Sequence, residues 1–592
     1  MALIKAGYRL GEAKAGPPGE FTARMFRAAQ WARSSNAAAA MQQMAARSAK
    51  SDPRLSQLAR ARQDLVAEWQ VKDQLMVSAR SGAATPPISD LARRLTEIQV
   101  KIEEIDRTFA TAFPDYAEIV RIEPMGIDDV QRLLGNNEAL VAIVDTPYRA
   151  PLPAETFVWV VTKTDVRWLR SDFGPSTLQR EVAALRCGLD AAAWSGEGAR
   201  RCADLLQLPL DKAPKEGEPL PYDVARAHKL YVSLFGEMAD RIKGKHLLIV
   251  PSGPLTTLPI QALVTAPPAS KDLASARWLV HDHAVTVLPS VASLAALRRT
   301  AKPSAATKPM IGFGNPLLDG NQAHPQHGAY FEQQAQIARA QTGCALTART
   351  RTATLRMVAR SVTSVPQTGS MADLKHLRMQ APLPETADEL CEVARAVGGS
   401  VVDVLIGARA TETEVKRLSS SGELAKYRML HFATHGTLAG QLSGTNEPGL
   451  ILSPPKTATA EDDGYLSGSE IAGLKLDADW VILSACNTAG GAGHGEAAEA
   501  LSGLARVFFY AGARALLVSH WEVDSDAAVK LVTGAIGAIA KDKSVGRAEA
   551  LRRAMLATMA DTSRPANWIP AWHPSVWAPF GVVGEGGGGG GR

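Results

Sequence analysis

Two stretches decide how this chain reads: Tyr427-Arg-Met-Leu-His-Phe-Ala-Thr-His-Gly436 and Asp479-Trp-Val-Ile-Leu-Ser-Ala-Cys-Asn-Thr-Ala489. Each is a short apolar run ending in a reactive side chain among small residues. Met429, Leu430 and Phe432 lead to His435 and Gly436; Val481, Ile482 and Leu483 lead to Cys486. Short apolar runs bounded by turn residues predict strands buried on both faces of a parallel sheet. Reactive groups at the carboxyl ends of such strands fall in the crevice where open α/β sheets place their sites. Cys486 follows His435 by 486 − 435 = 51 residues. A thiol must lose its proton before it attacks a carbonyl, and an imidazole can take that proton. Cys486 thus reads as a nucleophile and His435 as its general base, and Gly436, without a Cβ, allows close backbone approach of a substrate. His431, inside its apolar run, reads as a hydrogen-bonded structural histidine. His494 lies in a glycine-rich loop, Gly490 to Gly495. His520 follows the apolar run Ala515–Val518 and either lines the cleft or bonds within the core.

The whole chain sets limits around this pair. At 592 residues it is too long for one typical core, which predicts two to four domains. A hydrophobic fraction of 46% with 21% charged residues is ordinary for a globular protein. A formal net charge of +5 gives no nucleic-acid-binding signature. The five cysteines are scattered, odd in number and without metal-type spacing, which argues against a disulfide framework or zinc site and for a reducing cytoplasm. Cys187 and Cys202 read as core or surface thiols. Residues 1–20 carry no long apolar core, so they do not read as a signal peptide. No run of about 18 apolar residues predicts a membrane span.

In chain order, residues 1–125 read as helical. Leu91, Leu95, Ile98, Ile102 and Ile105 recur at helical spacing with Glu103, Glu104 and Asp106 between them. A second helix is expected over about 53–81, joined to the first by a turn into an antiparallel hairpin. This region is a partner-binding arm, with a possible activating protein as its partner, the remnant of a helical repeat array, or a helical brace. No clean 34-residue repeat is present. Residues 126–305 alternate strand and helix, with strands at Ala139–Val144, Phe157–Val161, His246–Val250 and Ala284–Leu288, which implies a largely parallel sheet. No Cys–His pair sits at those strand ends. Residues 306–584 form a second α/β half. It opens with Met310-Ile-Gly-Phe-Gly-Asn-Pro316, whose Gly-Phe-Gly lacks the rest of a phosphate loop and reads as a tight turn. Within it, about 317–379 is an insertion rich in Arg and Lys with few acids, and reads as solvated surface. Residues 585–592 are a glycine-rich tail.

His431-Phe-Ala-Thr-His-Gly436, Leu483-Ser-Ala-Cys-Asn-Thr-Ala489, Gly503-Leu-Ala-Arg506, Tyr510-Ala-Gly-Ala-Arg514 and Val518-Ser-His-Trp521, in that order, resemble a CHAT domain. CHAT domains are caspase-like peptidase domains, related in turn to separases. The resemblance implies a caspase-like three-layer α/β fold made of a catalytically silent half and an active half, preceded by an α-helical N-terminal region. It implies a cysteine endopeptidase that cuts protein substrates without metal or cofactor, is switched by a partner or a conformational change, and serves in bacterial signalling or defence. The backbone N–H groups of Gly436 and Cys486 would form the oxyanion hole. Ser484 stands where caspases carry Gln, which weakens the expectation of a pocket for Asp at P1. By likeness to the separase stretch, Trp521 would wall the S1 pocket, and Asp524 or Asp526 would pair with a basic P1 side chain; alternatively one Asp only caps the helix beginning near Ala527. Two rival classes remain open: a scaffold that keeps the fold without cleaving, and an acyl or peptidyl transferase using the same thiol.

Overall fold

The computed structural model describes residues 1–587 except 15, 16, 18, 32–57, 59–64, 66–87, 113–123, 216, 271, 301–303, 326, 345–371, 438–447, 460, 485–503, 505, 506, 510, 566 and 567. Two compact units emerge: Met1–Ala29 together with Met125–Arg592, and Gln30–Pro124. In the second unit, Ile88–Ala112 is one helix. Its Ile98 is buried and Leu95, Ile102 and Ile105 are half-buried, while Glu97, Glu103 and Glu104 are exposed, as the apolar spacing predicts. The expected partner helix at 53–81 falls almost wholly outside the described residues.

Among the described residues the first unit has fourteen strands: β1 Glu138–Thr146, β2 Glu155–Thr162, β3 Val166–Ser171, β4 His246–Val250, β5 Val285–Val287, β6 Lys308–Gly314, β7 Val404–Ile406, β8 Tyr427–Ala433, β9 Gly436–Thr437, β10 Gly449–Ile451, β11 Tyr465–Ser467, β12 Trp480–Leu483, β13 Ala515–Ser519 and β14 Phe580–Gly584. Eleven make one sheet in the order β3-β2-β1-β4-β5-β14-β13-β12-β8-β6-β7. β1, β4, β5 and β14 run parallel, and β13, β12, β8, β6 and β7 run parallel in the opposite sense. The two blocks meet where β14 pairs antiparallel with β13, Ala515 opposite Gly584 and Ser519 opposite Phe580. The last strand of the chain therefore joins the two halves into one sheet.

Both faces of that sheet are covered, as the unbroken apolar runs require. Alternate residues supply the two cores. Val141, Ile249, Ile482 and Leu517 face one core that continues across both halves. Leu140, Trp159 and Leu248 face a second core under the first half, into which the N-terminal helices bury Ile4, Met25 and Phe26. Leu430, Phe432, Val481 and Val518 face a third under the second half. Helices, sheet and helices thus form three layers.

Two expectations are corrected here. The Gly-Phe-Gly of residues 312–314 is not a turn but lies within β6. A Cβ on Gly312 or Gly314 would meet Leu390 at 2.9 or 2.7 Å, so the missing side chains let helix Glu385–Ala396 press onto the sheet. The cysteines also pair: Cys187 with Cys202 and Cys344 with Cys391, each with Cα atoms 5.6 Å apart. Cys187 ends helix Pro175–Cys187 and Cys202 lies in helix Glu197–Leu206. Packing, not sequence spacing, creates these pairs. The spacing argument for a reducing cytoplasm falls with them, since disulfides persist in oxidising compartments. No described helix is long and apolar enough to cross a membrane.

Candidate functional site

β8 delivers His435 to its carboxyl end. The chain leaves the strand at Ala433, the Thr434 hydroxyl donates to the Ile451 carbonyl, and Gly436 enters β9 opposite Leu450. The backbone N–H of Ile451 donates to the His435 carbonyl at 2.9 Å. The imidazole is thereby clamped between the main sheet and the small sheet β11-β10-β9, and it is fully buried. Its Nε2 lies 2.8 Å from the carbonyl oxygen of Ala381. A carbonyl only accepts, so the proton sits on Nε2 and the basic lone pair on Nδ1.

The neighbouring strand β12 ends at Leu483, and the next N–H, from Ser484, donates to the Phe432 carbonyl at 3.0 Å. His435, Gly436 and Ser484 are thus brought to the carboxyl ends of adjacent parallel strands. Cys486, the expected nucleophile, follows Ser484 by two residues in sequence and lies outside the described residues, as does His494. With four of the five cysteines in disulfides, Cys486 is the one cysteine of the sequence outside those pairs.

The other histidines separate clearly. His431 lies within β8, fully buried, its Nε2 3.1 Å from Oε1 of the buried Glu389. The approach lacks hydrogen-bond alignment, so this is a close buried contact and not the hydrogen bond expected of His431 from the sequence. His520 is buried beyond β13, and burial first, then the charge of Arg186, lowers its pKa to about 3. That makes it too weak a base for chemistry near neutral pH, and its backbone is pinned by the Pro579 carbonyl and by Arg186.

The residues expected at S1 are already engaged. Trp521 is buried, its indole N–H donating to the Ser575 carbonyl at 3.0 Å. Asp524 caps helix Ser525–Lys541, accepting from Ala527 N–H at 3.1 Å. Arg564, whose side chain is 6% exposed, lies 3.6 Å from Asp524 and 3.4 Å from Asp526, which also pairs with Lys530 at 3.0 Å. Both carboxylates therefore face a cation of this same chain.

Sequence reading missed two groups here. Ala381 acts through its backbone, which no side-chain pattern reports. Arg186 of the first half donates to the Thr257 carbonyl at 2.8 Å and the His520 carbonyl at 3.2 Å, while pairing with Asp190. It ties the loop after β13 to the opposite half, 334 residues away in sequence. Among the described residues no three His, Cys, Asp or Glu side chains converge as metal ligands would.

Two crystal structures of the Saccharomyces cerevisiae separase–securin complex, at 3.0 and 2.6 Å resolution, align with this chain at 9% and 10% identity and a TM-score of 0.37 each. They cover 81% and 84% of this chain but 32% and 34% of the matched chain, so this protein spans about a third of their length. No curated protein matches the sequence. The family model for the CHAT domain matches residues 224–585, a span holding β4 to β14 and every site residue named above except Arg186 and Asp190. That span is more than half of the sequence, and the chain belongs to the CHAT domain family.

Proposed function

We propose that the protein is a cysteine endopeptidase in which Cys486 attacks the scissile carbonyl and His435 is the base. The carrying observation is the placement of His435 at the carboxyl end of β8 with Nε2–H held by Ala381, beside Ser484. In the proposed step the Cys486 thiol gives its proton to Nδ1 of His435 and its sulfur bonds to the carbonyl carbon. The C–N bond then breaks, the imidazolium protonates the leaving amine, and water hydrolyses the thioester. The Ala381 carbonyl keeps the imidazole in the tautomer this needs. Backbone N–H groups at Gly436 and Cys486 would hold the oxyanion. Protein substrates, a switching partner acting through the N-terminal helices, and a P1 pocket shaped by Ser484, Trp521, Asp524 and Asp526 complete the proposal.

The test is labelling with acyloxymethyl ketone peptides carrying varied P1 residues. Wild type should label and both Cys486→Ala and His435→Ala should not. Labelling that persists in Cys486→Ala would overturn the dyad, and absence of labelling and cleavage with candidate partners added would favour the scaffold.

A further inference from the structure

A cleft of about 610 Å³ opens between the loop after β6 and the short helix Leu374–Arg378. Asp319, Gln322, Leu374, Lys375, Arg378 and Lys456 line it. Three cations thus face one carboxylate, and Asp319 is already paired with Arg339. The side chains of Lys375 and Lys456 are exposed and find no ion-pair partner among the described residues. Arg378 is held in place by the Pro455 carbonyl at 2.8 Å. A preset guanidinium flanked by two free ammonium groups presents donors without acceptors, which selects a multiply charged anion. The volume is that of a small-molecule site, and Leu374 with Met379 offers an apolar wall to an uncharged portion.

The cleft is also wired to the candidate site. Asp319 N–H and Gly320 N–H donate to the Arg378 carbonyl at 2.7 and 3.1 Å, and Gly320 N–H also reaches the Gln380 carbonyl at 3.1 Å. The next residue is Ala381, whose carbonyl fixes His435. We propose that this cleft binds an oligophosphate group, free or carried by a nucleotide, and that its occupation stiffens the strap 374–381 that orients His435. The binding itself uses no reacting cysteine; only the consequence for catalysis rests on the peptidase reading.

The experiment is calorimetric titration of the full chain with sodium tripolyphosphate and, separately, with ATP, at two salt concentrations. One saturable site is expected, weaker at higher salt. The Lys375→Glu/Lys456→Glu protein should lose at least tenfold in affinity, and Lys375→Arg/Lys456→Arg should retain it; both changes are at exposed side chains, and circular dichroism checks that each protein is folded. ATP binding more tightly than tripolyphosphate would assign a nucleotide, and equal affinity a bare oligophosphate; either supports the site. Hydrogen exchange at the Asp319 and Gly320 amides should slow on binding, in Cys486→Ala as in wild type, so a failed peptidase reading leaves this result intact. No saturable binding of either anion, or equal affinity in the charge-reversed protein, overturns the proposal.

Discussion

Removing the cross-links is the perturbation whose magnitude follows most directly from the structure. The disulfides close loops of 15 residues for Cys187–Cys202 and 47 for Cys344–Cys391. On the chain-entropy account these withhold about 3 and about 4 kcal/mol of disorder from the unfolded chain. The first staples two helices of the first half, adjacent to Arg186, which holds the His520 backbone. The second staples helix Glu385–Ala396, which also carries Glu389 beside His431. Urea unfolding followed by tryptophan fluorescence, with and without a phosphine reductant, should show reduction lowering the midpoint. Cys344→Ser/Cys391→Ser should reproduce the larger share. Alkylation in urea without reductant, mapped by mass spectrometry, should mark Cys486 alone; with reductant it should mark all five cysteines. Five marked cysteines without reductant, or unchanged midpoints, would refute both the pairing and the stability argument.

Three further outcomes follow from the buried titratable groups. His246, His520 and His573 are buried, and burial lowers their pKa values to about 4, 3 and 4 from 6.5. The fold keeps these rings neutral where the unfolded chain protonates, so their contribution is whole above about pH 6.5 and is lost as pH falls toward 4. Unfolding free energy should fall by a few kcal/mol over that window, and His520→Gln should flatten the slope; a pH-independent midpoint from 7 to 4 would contradict this. Replacing Arg564 with Ala should cost on the order of 2 kcal/mol, because it removes a buried cation shared by two partly buried carboxylates, although Asp526 keeps Lys530. If Asp524 and Asp526 read a basic P1 side chain, labelling of Arg564→Ala by an arginyl probe should rise relative to a leucyl probe, and an unchanged ratio would remove both residues from the pocket.

How far the sequence carried differs from residue to residue. Met429–Phe432 and Val481–Leu483 could be read as buried parallel strands because burial on both faces demands an unbroken apolar run, and the family motifs lie along the same strands. The strand runs at β1, β2, β4 and β5 were legible for the same reason, but the expected alternation with helices fails at the start of this half, where β1, β2 and β3 follow one another without helices and pair antiparallel. The helices Pro175–Cys187 and Glu197–Leu206 were not read from the sequence. β9, β10 and β11 are two or three residues each, too short for any periodicity to register.

The sequence by itself determined the fold class, the family and the pair of residues proposed for the chemistry, because those depend on local burial patterns and motifs in fixed order. Only the tertiary structure decided that β14 joins two oppositely directed blocks and that four cysteines pair. It alone placed the Ala381 carbonyl on Nε2 of His435 and brought Arg564 against the expected pocket acids. Each of these contacts joins residues distant in the chain, through backbone atoms or through side chains whose local sequence carries no trace of the partner. Such partners are chosen by how the layers pack, and packing is a property of the folded whole.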